Sequence, residues 1–343
     1  MTKYKNDIMS REPVLDLLRF VAALAVVFVH IKPIEITGDL NKIVIVNWFL
    51  ENGDLGVDVF FVISGYVILK SAEKYSLRDF VVARFIRIFP AMYLVSTLTF
   101  IYFYLTNIPK PSIQLLVESL TLTFSQNPNT AIPPQLWTLV YEFKFYFILA
   151  LLILISPNIL KNSIRILTLI AILQILVIVN TLEISKQISY FSYSFSIERP
   201  NTQWIGLLFS IGCIIRILSR KHIIGAYLLL ASNYLLLFLL REYDGVSKII
   251  LLILPFLILK NFKIKNVFFK KVCYHLGLLS YPLYLIHFYF NLYIIEHANF
   301  INIRAEFLIL ISVLINILVS FFIAILYETP IQRFLKRIFL SKS

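Results

Sequence analysis

Charge is scarce in this chain. Only 15% of its 343 residues are Asp, Glu, Lys or Arg, where soluble domains carry about 25%. The missing charge is replaced by apolar side chains, 59% of the total, and mean hydropathy reaches +0.83. That balance excludes an ordinary soluble domain and describes an integral membrane protein. Cysteine is nearly absent, with two residues. Cys213 and Cys273 fall toward the expected cytoplasmic ends of spans, where thiols stay reduced. With no His or carboxylate at ligand spacing around them, they read as packing residues rather than a metal site. Glycine is also sparse, at nine, and no Gly/Ser linker, low-complexity tract or fixed-period repeat breaks the chain. A single polytopic domain, 1–343, with no appended soluble domain is the expectation. The first apolar run is long and no small-residue cleavage site follows it, so no cleavable signal peptide is expected.

What the chain has in abundance is apolar runs of the roughly 17–25 residues that cross a bilayer. They fall at about 14–32, 55–70, 88–107, 136–156, 164–182, 203–219, 222–240, 246–261, 276–296 and 305–327. The fold class expected is therefore an all-α bundle of about ten spans. The net charge of +13 is distributed by side of the membrane. With the N-terminus inside, the inward segments hold 22 Lys and Arg and the outward ones 8. This positive-inside bias puts both termini in the cytoplasm. It assigns the basic charge to orientation and to anionic lipid or ligand, not to nucleic acid. Abundant Ile, Lys and Asn fit an AT-rich genome, hence a bacterial inner membrane.

Against that apolar background a few ionisable residues stand out. The run Leu15–Ile31, LDLLRFVAALAVVFVHI, contains Arg19 and His30. A charge at the centre of a span costs roughly 2.5–3.5 kcal/mol or more, so such residues are functional candidates. Eleven helical residues separate the two by about 16 Å, placing a fixed cation near one face and a titratable imidazole toward the other. Asp58 lies in GDLGVDVFFVISGY with Gly53, Gly56 and Gly65. It is either a partner that orients His30 or Arg19 or a solvated carboxylate at the outer end of its span. Arg84 and Arg87, in ARFIRIFP, are one helical turn apart. They form either a fork for phosphate or ordinary cytoplasmic anchoring. Glu142, in LWTLVYEFKFYFIL, sits about six residues into a span. Lys144 is two residues on and so points away from it. Trp137 reads as an interfacial anchor or as part of the site. His287, in LSYPLYLIHF, is either a satisfied core histidine or a site residue. His222, His275 and His297 fall in loops or at span ends and receive no functional role.

Taken in order, these segments resemble the acyltransferase-3 family of integral membrane O-acyltransferases. The set comprises Arg19 and His30 with ten residues between them, GDLGVDVFFVISGY, and the Arg84/Arg87 pair before Phe-Pro. It continues with LWTL around Glu142 and its following Phe-Tyr, then SYPLYLIH and the closing YETP at Tyr327–Pro330. The resemblance implies transfer of an acyl group, acetyl first, from acetyl-CoA to a hydroxyl of a surface polysaccharide or lipid-linked sugar, with no bound cofactor and no metal. It implies catalytic roles for His30, Asp58 and Glu142. Donor or acceptor contacts fall to Arg19, Arg84, Arg87, Trp137, Tyr146, Tyr281 and His287. Phe143 and Lys144 stand where polar residues are common in the family, and Phe20 where Gly often follows the Arg. These departures bear on acceptor choice.

The expected mechanism keeps the donor phosphates at the inner face against Arg84 and Arg87. The pantetheine arm then threads between the first four spans to present the thioester to His30, as general base or through an acetyl-imidazole. No Gly-x-Ser-x-Gly is present, and Ser64 has no obvious local base, so a serine acyl-enzyme is not expected. A transporter or flippase for a lipid-linked sugar or anion is the rival reading, though no symmetric pair of interrupted helices is visible. A polysaccharide polymerase predicts outward basic loops, which are sparse here.

Overall fold

The computed structural model describes residues 12–31, 44–106, 111–123, 131–156, 158, 160, 162–181, 203–221, 223–240, 254, 266–298 and 305–340. Among the described residues the architecture is helical, without a strand. In chain order the helices are α1 (Pro13–Val29), α2 (Val44–Asn52), α3 (Leu55–Ala72), α4 (Leu77–Leu105), α5 (Ile113–Thr121), α6 (Trp137–Ile155), α7 (Ser163–Thr181), α8 (Gln203–Leu218), α9 (Ile224–Leu240), α10 (Val267–Ala298), α11 (Ala305–Phe322) and α12 (Thr329–Phe339). A 3₁₀ turn, Pro134–Leu136, leads into α6, and a π turn, Ile323–Glu328, joins α11 to α12. The expected eighth span, 246–261, lies outside the described residues except for Leu254, as does His222.

Among the described residues, four helical segments are long and apolar enough to cross a membrane: Leu55–Ala72, Leu77–Leu105, Pro134–Ile155 and Phe307–Phe339. Three shorter apolar helices cover Ser163–Ile178, Trp204–Leu218 and Ile224–Leu239. Apolar side chains crowd the outside as well as the core. Ile155 is 72% exposed, Leu239 74% and Leu326 70%. Such exposure is costly in water and natural against lipid tails.

Two helices outrun the apolar stretches that announce them. α4 begins at Leu77 rather than near 88 and spans 29 residues, so Arg84 and Arg87 lie inside a helix rather than at its mouth. α10 covers 32 residues where 276–296 is apolar. Hydropathy marks the depth of hydrocarbon, whereas Arg and Lys remain good helix formers and carry a helix past it.

The chain divides into two compact units. Unit 1 is Met1–Val59, Phe85–Leu139 and Asn261–Ser343; unit 2 is Phe60–Arg84 and Val140–Lys260.

In unit 1, α1 packs along α10. The approach is close enough that a Cβ on Gly277 would overlap the side chain of Asp16. Gly53 and Gly56 similarly abut the carbonyls of Ala25 and Ala22. A buried polar seam joins α10 to α11. Ser312 Oγ and Asn316 Nδ2 both donate to Asn291 Oδ1, at 2.7 and 2.8 Å, and Asn291 Nδ2 donates to the Val27 carbonyl of α1 at 3.2 Å. Ser312, Asn316 and Ser320 recur every fourth residue and so line one face of α11. In a lipid environment such hydrogen bonds, not hydrophobicity, tie helix to helix.

In unit 2, α3 and α8 cross backbone to backbone. A Cβ on Gly65 would meet the Phe209 carbonyl, and one on Gly212 the Val62 carbonyl. At the far end of the same helices Glu73 accepts from Arg216 at 2.7 Å and Arg220 at 2.8 Å. α7 and α9 are tied by Gln174, which donates to the Leu229 carbonyl at 2.9 Å and accepts from Ser232 at 2.8 Å.

Candidate active site

Within unit 1, α1 ends at Val29, and His30 follows it as the cap residue. The imidazole is half-buried, and its Nδ1 lies 2.9 Å from the Val26 carbonyl one turn back. A carbonyl only accepts, so Nδ1 carries the hydrogen and the neutral ring keeps its lone pair on Nε2. His30 is thus held in the tautomer a general base requires, by its own helix. Its ring meets that of His287, centroids 4.9 Å apart and edge-on, and that of Phe288 at 5.4 Å.

His287 repeats the arrangement. It is 1% exposed, and its Nδ1 donates to the Tyr284 carbonyl at 2.7 Å. The helix around it is fixed from the side by the 3₁₀ turn. Gln135 donates to the Leu285 carbonyl, and Thr138 and the Tyr284 hydroxyl are hydrogen-bonded at 2.9 Å. Trp137 occupies the junction between that turn and α6.

Asp58 is completely buried, which removes the solvated reading of this carboxylate. Arg19 is half-buried on α1. One turn before it, Asp16 is also buried, a carboxylate inside the bundle that hydropathy alone passes over.

Arg87 donates to Glu328 at 2.9 Å, with side-chain exposures of 31% and 4%. Its guanidinium also lies over the Tyr281 ring at 5.2 Å, and the Tyr281 hydroxyl donates to the Ile88 carbonyl. Glu328 comes from the π turn and is held in addition by Gln332, at 2.7 Å. π turns widen the helix and re-aim a side chain, frequently at functional sites.

Arg84, Glu142 and Tyr146 belong to unit 2. Tyr146 donates its hydroxyl to Glu142 one turn earlier on α6, so the carboxylate is not left alone. The Arg84 guanidinium faces the Tyr146 ring at 5.7 Å and the Phe80 ring at 5.9 Å, and donates to Ser71 Oγ at 3.1 Å. Its buried Nε has no hydrogen-bond partner among the described residues. The two arginines, one turn apart in sequence, therefore have different surroundings. Arg87 is paired with a carboxylate, whereas Arg84 rests on aromatic faces and a hydroxyl with donors in hand. No group of His, Cys, Asp and Glu able to hold a metal ion occurs among the described residues.

A helical chain with an apolar exterior and ionisable side chains held inside it is an integral membrane protein. The acyltransferase-3 family model, described as an acyltransferase domain, matches residues 12–328. The chain belongs to that family and is a membrane acyltransferase. No curated protein and no solved structure matches it.

Proposed function

We propose that this acyltransferase moves an acetyl group from cytoplasmic acyl-CoA to a hydroxyl of a surface polysaccharide or lipid-linked sugar. It does so as one catalytic domain of about ten spans in the bacterial inner membrane, both termini cytoplasmic. The observation that carries the reading is the state of His30, with Nδ1–H tied to Val26 and Nε2 left as a lone pair. In the proposed step Nε2 takes the proton of the acceptor hydroxyl as its oxygen attacks the thioester carbonyl. The C–S bond then breaks, and the departing CoA thiolate collects that proton from His30. Ester and CoA thiol are the products, and His30 returns to its starting state.

Phosphate of the donor is assigned to Arg84. A guanidinium seated on aromatic faces, with unused donors along its edge, suits an oxyanion. Arg87, already matched to Glu328, is assigned to holding α4 against the π turn. Within unit 1, Asp58, Arg19, Trp137 and Tyr281 are proposed to support His30 and its substrate contacts; within unit 2, Glu142 and Tyr146 are proposed to support Arg84.

Incubating inverted membrane vesicles with radiolabelled acetyl-CoA tests the reading. Label is expected in the native membrane glycan. Well-inserted protein that turns over no donor would favour transport of a lipid-linked sugar or anion instead. In the same vesicles, Arg84→Gln is expected to raise the apparent KM for acetyl-CoA roughly tenfold, about the loss of one charge-assisted hydrogen bond. An effect confined to the acceptor would contradict its assignment.

A further inference from the structure

The family match ends at residue 328, where the π turn closes, and α12 follows without a break. α12 differs in kind from the helix before it. α11 is dominated by Ile, Leu and Phe, whereas α12, TPIQRFLKRIF, mixes cations with large apolar side chains. At helical spacing these side chains fall on three stripes. Glu328 and Gln332, one turn apart and both buried, face the protein. Gln332 donates to the Arg87 carbonyl at 3.3 Å and to Glu328 at 2.7 Å. Ile331, Phe334, Leu335 and Ile338 follow the i, i+3, i+4, i+7 pattern of an apolar face. Phe334 and Ile338 on that face are 61% and 55% exposed. Arg333, Lys336 and Arg337 form a cationic stripe, and all three are exposed.

Length fixes where this surface sits. The 18 residues of α11 and the 6 of the π turn cross the roughly 30 Å of hydrocarbon at about 1.5 Å per residue. α12 therefore begins where hydrocarbon gives way to headgroups. In bulk water its exposed Phe and Ile would be costly, and inside hydrocarbon its three cations would be. The headgroup layer suits both, with apolar side chains at the acyl boundary and arginine stems reaching outward to charge. We infer that α12 is a lipid-binding helix that lies at the membrane surface and takes anionic phospholipid headgroups along Arg333 and Arg337. The ligand is a phosphodiester of net negative charge, held by charge-assisted hydrogen bonds, with its acyl chains against Phe334 and Ile338. A zwitterionic lipid offers the same phosphate but cancels it with its own ammonium. Gln332 ties the docked helix to α4 at Arg87, so bound lipid braces the ion pair between Arg87 and Glu328.

The test reads thermal unfolding of the full chain in phosphatidylcholine nanodiscs, with phosphatidylglycerol replacing a rising share of the lipid. Wild type is expected to gain several degrees as the anionic share rises, and to lose that gain at high salt. Arg333→Gln/Arg337→Gln is expected to lose most of the gain, since each cation at an anionic surface contributes roughly fivefold to binding. Arg333→Lys/Arg337→Lys should keep it. Lys270→Gln/Lys271→Gln, which removes two cations from the first turn of α10, should also keep it. In pure phosphatidylcholine all four proteins should unfold together, because none of the replaced side chains is buried. Equal losses in the two Gln pairs would overturn the inference in favour of unspecific surface charge. An undiminished gain in Arg333→Gln/Arg337→Gln would remove α12 from lipid binding. Destabilisation of that variant in pure phosphatidylcholine would show the arginines to be structural instead. Stabilisation of wild type by added CoA in pure phosphatidylcholine, absent from the same variant, would assign them to the acyl donor and likewise overturn the inference.

Discussion

Replacing His30 by Ala is expected to lower acyl transfer from acetyl-CoA by roughly 10²–10⁴-fold, the range that general-base catalysis contributes. The protein should still insert and accumulate normally. The ring is half-buried beyond the last residue of α1 and makes one local hydrogen bond, to Val26. Its removal opens little core and strands no distant partner. His30→Gln separates basicity from polarity, since an amide can occupy the space and hydrogen-bond but cannot take a proton near neutral pH. Both variants should be similarly slow, with the acetyl-CoA KM little changed, because the donor phosphates are assigned to Arg84 and not to this ring. A His30→Ala protein that transfers label at the wild-type rate removes His30 from the chemistry.

The largest expected effect on stability lies at Arg87 and Glu328. Arg87→Gln takes from the Glu328 carboxylate, 4% exposed, the guanidinium that donates to it at 2.9 Å. Removing one partner of a fully buried ion pair costs about 3–5 kcal/mol. The lower end applies here, because the Arg87 side chain is 31% exposed and solvent screens part of the interaction. The reverse change, Glu328→Gln, should be milder. The cation it leaves behind has access to water or headgroups, whereas the carboxylate does not. The double variant should recover part of the Arg87→Gln loss, since neither charge is then left buried. Thermal unfolding of the four proteins in one detergent reads the cycle. Equal losses for both single variants, or strict additivity, would contradict a coupled pair.

The existence of the helices was legible because apolar runs of span length have few alternatives. Their ends were less so. α4 and α10 extend beyond hydrocarbon on Arg- and Lys-bearing turns, which hydropathy scores as loop. His30 and Arg19 stood out because a charge in an apolar run is conspicuous. The partner of Arg87 did not stand out. Glu328 is 241 residues away and follows immediately on an apolar run, so nothing local announces that it is buried. The seam of Ser312, Asn316 and Ser320 was hidden for a different reason. Isolated small polar residues every fourth position barely lower the hydropathy of a run rich in Ile, Leu and Phe, yet they are what the helix turns toward Asn291. Nor could spacing distinguish Arg84 from Arg87. Their difference comes from residues brought in from elsewhere in the chain, Ser71 and Tyr146 on one hand and Glu328 on the other.

In the proposed reaction the donor is taken up on the cytoplasmic side and its acyl group is delivered to a glycan on the other. Sealed vesicles of both orientations, each supplied externally with radiolabelled acetyl-CoA, test it most directly. Inside-out vesicles are predicted to place label on glycan enclosed in their lumen, and right-side-out vesicles to place none until acetyl-CoA is loaded within. Equal labelling from outside in both orientations, or label confined to the face that received the donor, would contradict the account.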